Sequence, residues 1–288
     1  NLALRGLNFE GGNLKDTGRN GAALRTQHNS YITMKNVTLQ KNETKNTGGA
    51  IYLYASALNL NSVLLQQNTV SNQWGGAIYG EDSSLLIRNT TFTDNEAGYG
   101  AGLYLKSTPG LIQDTVFQYN TTRNQSTDSL KDDGGALGLS GVYNIPLEVY
   151  DSLFENNSAY NGGTIYIHDS SSRLKIYRSS FHKNWVDKVG FLGVYPYGAA
   201  ITSRGSLLIR DSTFTENDNK HSHGGALVSD SSGHIDILHS TLSYNRSASN
   251  GGGLYIDHYW GGSASAFVKN SIILSNVSPY AEIKVDGS

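Results

Sequence analysis

The stretch Gly75–Asn95, GGAIYGEDSSLLIRNTTFTDN, decides how this chain folds. It opens with a small-residue step (Gly75, Gly76, Ala77) and runs into an alternating segment at Ile78 and Tyr79. A polar turn follows from Glu81 to Ser84, then a second alternating segment with Leu85, Ile87 and Phe92, and finally Asn95. The same order recurs along the chain. Equivalent glycine steps begin at Gly21, Gly48, Gly75, Gly100, Gly134, Gly162, Gly198, Gly224 and Gly251. Each leads to a Phe or other apolar residue and, three positions later, to an asparagine: Asn42, Asn68, Asn95, Asn120, Asn157, Asn184, Asn217, Asn245 and Asn276. These asparagines lie 26, 27, 25, 37, 27, 33, 28 and 31 residues apart. A period near 27 with insertions is a repeat unit, and repetition on this scale decides architecture before any local reading.

The pattern inside each unit selects strand. Five positions before the Phe column stand Met34, Leu60, Ile87, Ile112, Val149, Ile176, Ile209, Ile237 and Val268, with a further mostly apolar column two positions earlier. A spacing of two with polar residues between is strand periodicity with one buried face. The 33 glycines would weaken helices further. One unit is too small to fold alone, so the units must stack, and the sequence predicts an all-β fold: a right-handed parallel β-helix, or solenoid, of about nine to ten turns. At ~4.8 Å per turn the rod would be about 40–45 Å long. A β-propeller needs units of about 40–45 residues and does not fit. The asparagine column is expected to form a ladder in which each amide donates to the next turn. The glycine step is expected where the chain bends sharply or two backbones approach closely.

Composition bounds the rest. A single domain over residues 1–288 suffices, with 1–20 as a partial first turn and loop insertions at 121–133 and 185–197. Net charge is −2 and only 16% of residues are charged, so no nucleic-acid footprint is expected. No apolar run approaches the ~18–20 residues of a membrane span. Zero cysteines exclude disulfides and thiolate zinc sites, and no metal or other cofactor is expected. Abundant Ser, Thr, Asn, Gly and Tyr suit a secreted or cell-surface protein. The chain opens on Asn1 rather than Met, which reads as a processed or excised segment. Neither end carries a polar cap, so flanking sequence or end-to-end stacking into a fibre is expected.

At this point the chain resembles a known family. GGAI at Gly48 and Gly75, GGAL at Gly134 and Gly224, and FTDN, FQYN, FENN, FHKN and FTEN are similar to the paired motifs of the chlamydial polymorphic outer-membrane proteins, a group of autotransported surface adhesins. GAGL, GGTI, GAAI, LQKN, LSYN and ILSN are looser versions. The resemblance implies adhesion or surface structure rather than catalysis. The family's C-terminal membrane barrel and cysteines are not present in this sequence.

Several residues stand out as candidate sites. The position after each glycine-step aliphatic should point outward, and that column carries Tyr52, Tyr79, Tyr104, Tyr166 and Tyr255. Outward aromatics could stack on sugars or a protein partner, although Tyr is also simply a good strand residue. The second insertion adds Trp185, Phe191 and Tyr195, which either pack on the rod or dock a partner. Sequons at Asn36, Asn89, Asn124 and Asn156 are the expected glycan acceptors in a eukaryotic secretory pathway, since ladder asparagines would be buried. For catalysis, a polysaccharide lyase or hydrolase would need a base beside a carboxylate. Lys106 with Glu81, Arg204 with Asp230, or a loop cluster of Lys131, Asp132, Asp133, Asp187, Lys188, Lys220, His221 and His223 could be written into that role. Each is more simply a solvated charge, and no carboxylate pair recurs at a fixed position. No catalytic residue and no metal site is assigned. The expected function is non-catalytic adhesion or structural display, with host or self surface proteins or glycans, or further copies of the chain, as partners. A polysaccharide-active enzyme is the alternative.

Overall fold

The computed structural model describes residues 1–15, 17–71, 73–123, 133–142, 144–160, 162–186, 197–258 and 262–285. Among these the chain is all strand, wound as a right-handed parallel β-helix. One turn reads Ile78–Glu81, Ser84–Arg88, Thr91–Thr93 and Glu96–Ala97 before the chain returns at Leu103–Lys106. Equivalent strands of successive turns pair in parallel and build four sheets of 10, 10, 10 and 9 strands. We call them the glycine-step sheet, the long sheet, the Phe sheet and the two-residue sheet, in the order of the turn just given.

The register is the one the columns predict. Leu60, Ile87, Ile112, Val149, Ile176, Ile209 and Ile237 pair in sequence across the long sheet and are all 0% exposed. In the Phe sheet, Phe92, Phe117, Phe154, Phe181 and Phe214 stack face to face with centroids 4.5–4.8 Å apart. Parallel strands repeat about every 4.8 Å, so identical rings on successive turns are held near stacking distance by the backbone.

Each turn is closed by single residues with positive φ. Asn36, Ser62, Asn89, Asp114, Asp151, Arg178, Asp211, His239 and Asn270 occupy one corner. Lys41, Gln67, Asp94, Tyr119, Asn156, Lys183, Glu216, Tyr244 and Ser275 occupy the next, immediately before the asparagines. A left-handed residue turns the chain inward and leaves the following backbone N–H without a strand partner. The asparagine ladder solves this at the second corner. Eight amide-to-amide bonds of 2.8–3.1 Å join Asn42 through Asn276, each Nδ2 donating to the next Oδ1. The second Nδ2 proton goes to a carbonyl of the preceding turn, as from Asn157 to Phe117 O at 2.8 Å. Each Oδ1 also accepts the backbone N–H of the preceding ladder residue, as from Asn120 to Asn157 at 3.1 Å. No polar atom of the amide is wasted, as buried polar groups require.

The glycine step meets both demands expected of it. Gly75 has φ +71°, and a Cβ there would lie 2.3 Å from Ile78 O. At Gly76 the conformation is ordinary, but a Cβ would come within 2.3 Å of Ala101 O on the next turn. The first glycine serves the bend and the second the close approach.

Candidate functional site

Strand alternation in the glycine-step sheet sends Ile78 and Gly80 into the barrel and Tyr79 and Glu81 out of it. The outward tyrosines stack: Tyr52 on Tyr79 at 5.5 Å and Tyr79 on Tyr104 at 5.9 Å, with rings parallel to within 6°. They are not, however, an open aromatic face. Tyr79, Tyr104, Tyr166 and Tyr255 are only 2–7% exposed, which corrects the expectation that this column meets solvent; Tyr52 alone is half-buried.

The cause is a second layer. Residues just before the glycine steps fold back over the sheet: Trp74 lies 6.5 Å from Tyr79 and 6.1 Å from Tyr104. Tyr99 lies 6.3 Å from Tyr104. Tyr197 covers Tyr166 at 6.4 Å, and His223 stacks on Tyr255 at 4.5 Å. At Gly138 the tyrosine column skips a turn, and the Tyr104 ring leans over the vacancy; a Cβ on Gly138 would meet that ring at 2.6 Å. Tyr104 thereby reaches His168 at 5.6 Å, and Tyr166 meets the same imidazole edge-on at 4.4 Å.

Electrostatics follow from this burial. The phenols of Tyr79 and Tyr104 are pushed well up, first by burial and, for Tyr79, then by the Glu81 carboxylate. His168 keeps an edge at the surface, but its Nε2 is enclosed without a hydrogen-bond partner. Burial, and secondarily Arg204, push its pKa down to about 3. Burial opposes the charge on Arg204, but the Asp230 carboxylate outweighs it and holds the guanidinium protonated.

The pairs considered for catalysis are ion pairs between adjacent turns. Lys106 Nζ donates to Glu81 Oε1 at 2.7 Å, and Tyr79 Oη donates to the other carboxylate oxygen at 3.0 Å. Arg204 Nε donates to Asp230 Oδ2 at 2.6 Å. The hydrogen bond with Glu81, then its charge, raises the Lys106 pKa, so the residue holds its proton where a lyase base must be free of one. No group of three or more metal-ligating side chains occurs among the described residues. Trp185 is half-buried in the two-residue sheet beside Ser158 and Asp218, apart from the tyrosine column. Phe191 and Tyr195, with Lys131, Asp132, Asp187, Lys188 and the glycan candidate Asn124, lie outside the described residues. Of the other sequons, Asn36 and Asn89 are exposed and Asn156 half-buried, all at corners. The ladder sequons Asn42, Asn120, Asn245 and Asn276 are 0–6% exposed.

Two features were not read from the sequence. One is the covering layer, whose signal is the residue preceding the step: Trp74, Tyr99, Tyr197 and His223. The other is a hydroxyl ladder at the first corner. There Ser152, Ser179, Ser212, Ser240 and Ser271 each accept the backbone N–H of the equivalent residue one turn earlier, at 3.1–3.2 Å. The signal for it is a column of hydroxyl residues two positions before the Phe column, from Thr90 and Thr115 through Ser271.

A coil of parallel sheets with an internal amide ladder defines a right-handed β-helix, and residues 4–140 match the model of the right handed beta helix region. Residues 151–168, which hold one FENN and one GGTI motif, match the Chlamydia polymorphic membrane protein repeat. The chain is also similar to a Chlamydia pneumoniae protein described as probable outer membrane protein pmp6. That match is 30% identical over 148 residues and covers 45% of this chain and 12% of the relative. No solved structure matches. The chain thus resembles the polymorphic outer-membrane protein family in repeat and fold, and spans a small part of that relative's length.

Proposed function

We propose that this chain is a non-catalytic β-helix of a cell surface, serving adhesion or structural display toward glycans or proteins of another surface, or toward further copies of itself. The observation that carries this reading is the division of labour between inside and outside. The interior repeats one solution turn after turn, with amide ladder, hydroxyl ladder and Phe stack. The outward positions vary freely: one outward column of the long sheet runs Leu86, Leu111, Glu148, Lys175, Leu208, Asp236. Such a scaffold presents side chains at fixed spacing without needing a cleft. The outer-membrane relative supports a surface location, and the protonated Lys106 argues against lyase chemistry.

The test is capture of cultured epithelial cells on surfaces coated with the protein, in parallel with incubation on uronate polysaccharides followed by absorbance of the unsaturated product. Saturable capture without product formation is expected. Product formation that Lys106→Ala abolishes would establish the enzyme instead, and absence of any capture would end the adhesion reading. Sedimentation velocity on the same material reports self-association.

A further inference from the structure

Outside the aromatic layer, a polar concavity lies on the outer face of the long sheet. It is a cleft of about 520 Å³ lined by Ser170, Arg173, Lys175, Ser206, Leu208 and Asp236. Its floor is a grid fixed by strand register: Arg173 pairs with Ser206 and Lys175 with Leu208, and on the next turn Leu208 pairs with Asp236. Neighbouring turns stand about 4.8 Å apart and alternate residues about 7 Å apart, which gives the grid the footprint of one pyranose ring. One wall is the turn at residues 169–172, held by Asp169, which accepts from Ser171 N at 3.1 Å and Gly141 N at 2.8 Å.

The charges of this grid are unequal in their needs. Lys175 is paired with Glu148 at 3.1 Å, and His234 lies against Asp236 at 3.2 Å. Arg173 is exposed and makes no ion pair among the described residues. Between the cationic turn and the acidic one, Leu208 is the apolar floor, half-exposed. An occupant that satisfies all three turns carries one carboxylate for the guanidinium fork. It also carries an apolar C–H face for Leu208, and hydroxyls that donate to Asp236 and pair with Ser206 and Ser170. We propose that this cleft binds a carboxylated sugar, a hexuronic acid unit, either free or at the end of a glycan. A neutral sugar leaves Arg173 without its partner, and a small inorganic anion gains nothing from the floor. The proposal rests on the adhesion reading above in that it names the ligand class of a display surface.

The test titrates the full chain with methyl glucuronide, methyl glucoside, sodium acetate, a glucuronate-terminated oligosaccharide and a short Glu-containing peptide, by calorimetry and chemical-shift perturbation. The glucuronide should bind at least about tenfold more tightly than glucoside or acetate, the scale of one charge-assisted bond. Arg173→Gln and Leu208→Asp should each remove that preference while leaving the melting temperature within about 2 °C, since surface changes away from special features cost little. Oligosaccharide binding tighter than the monosaccharide identifies the glycan terminus as the source; equal binding identifies the free sugar. Glucoside or peptide binding as tight as glucuronide, or an Arg173→Gln protein that still prefers glucuronide, overturns the proposal. The two readings separate cleanly. Cell capture without glucuronide binding removes this site and leaves adhesion standing, whereas glucuronide binding without cell capture does the reverse.

Discussion

Replacement of one ladder residue isolates what the ladder contributes. Asn157 sits in the middle of the rod at 0% exposure. Its Nδ2 donates to Asn184 Oδ1 at 3.1 Å and Phe117 O at 2.8 Å, and its Oδ1 accepts from Asn120 N at 3.1 Å and Asn120 Nδ2 at 3.0 Å. Asn157→Ala removes all four bonds. Asn184 Oδ1 keeps the Asn157 backbone N–H at 3.0 Å, and Asn120 Nδ2 keeps Phe92 O at 2.9 Å. Asn120 N–H and the Phe117 carbonyl lose these amide partners inside the barrel, each at about 1–3 kcal/mol, so the variant should lose about 2–6 kcal/mol. Asn156 next door is the control. It points outward at the corner, and its amide reaches only Tyr119 Oη at 3.5 Å. Asn156→Ala should cost no more than about 1–2 kcal/mol, the price of a left-handed residue without Asn. Asn157→Asp adds a sign test. A carboxylate there faces the Phe117 and Asn184 oxygens without a proton to donate, so its folded pKa rises above the unfolded value of about 4. The folded state then holds the proton longer, and the stability of this variant relative to wild type should grow as pH falls through that window. Urea unfolding followed by circular dichroism, with hydrogen exchange to locate the break, reads all three variants. If Asn157→Ala and Asn156→Ala differ by less than about 1 kcal/mol, or Asn157→Asp shows no pH dependence, the ladder is not the stabilising device described here.

Three further outcomes follow from the outer layer and the corners. His168 has a folded pKa of about 3 against about 6.5 unfolded, so the unfolded state alone takes up the proton between those values. Stability should fall on acidification through that window, by about 2 kcal/mol at pH 5, and His168→Phe should flatten the slope in urea melts from pH 8 to 4; an unchanged slope refutes it. Gly138→Ala places a methyl 2.6 Å from the Tyr104 ring and should cost about 1–3 kcal/mol, with a near-ultraviolet dichroism change as the aromatic layer shifts; Gly233→Ala, whose Cβ would be 2.2 Å from Ser203 O with no ring beside it, should cost stability without that spectral change. Expression through a eukaryotic secretory pathway should place glycans on Asn36, Asn89, Asn124 or Asn156 and none on Asn42, Asn120, Asn245 or Asn276, as peptide mass mapping would show.

The fold was legible because stacked turns write the same physical requirement into every column. Ile87 and Ile112 had to be apolar for one reason, and Asn95 and Asn120 had to be amides for another, so nine copies averaged away local noise. The outer layer was not legible by the same logic. Alternation correctly sent Tyr79 and Tyr104 away from the barrel, but leaving the barrel is not the same as meeting water. What covers them, Trp74 and Tyr99, comes from the segment whose length varies between copies and whose residues do not repeat. Period-based reasoning has least to say where the period fails. Asp169 and the turn it holds fall in the same class, which is why the cleft beside Arg173 left no mark on the sequence pattern.

The same contrast bears on how such a molecule acquires a binding function. Most ion pairs among the described residues join adjacent turns, as Glu10 with Lys41, Glu81 with Lys106, Glu148 with Lys175, and Asp151 with Arg178. Exposed pairs of this kind are screened by water and contribute little beside the buried amide and hydroxyl ladders. Register is therefore set inside, and the outward charges are free to change without unwinding the rod. A position such as Arg173, exposed and without an ion pair among the described residues, is what that freedom permits: a charge open to a partner from outside the rod. Exchanging outward residues turn by turn should alter what the surface binds while the unfolding midpoint stays put, whereas a single exchange in the ladder should do the opposite.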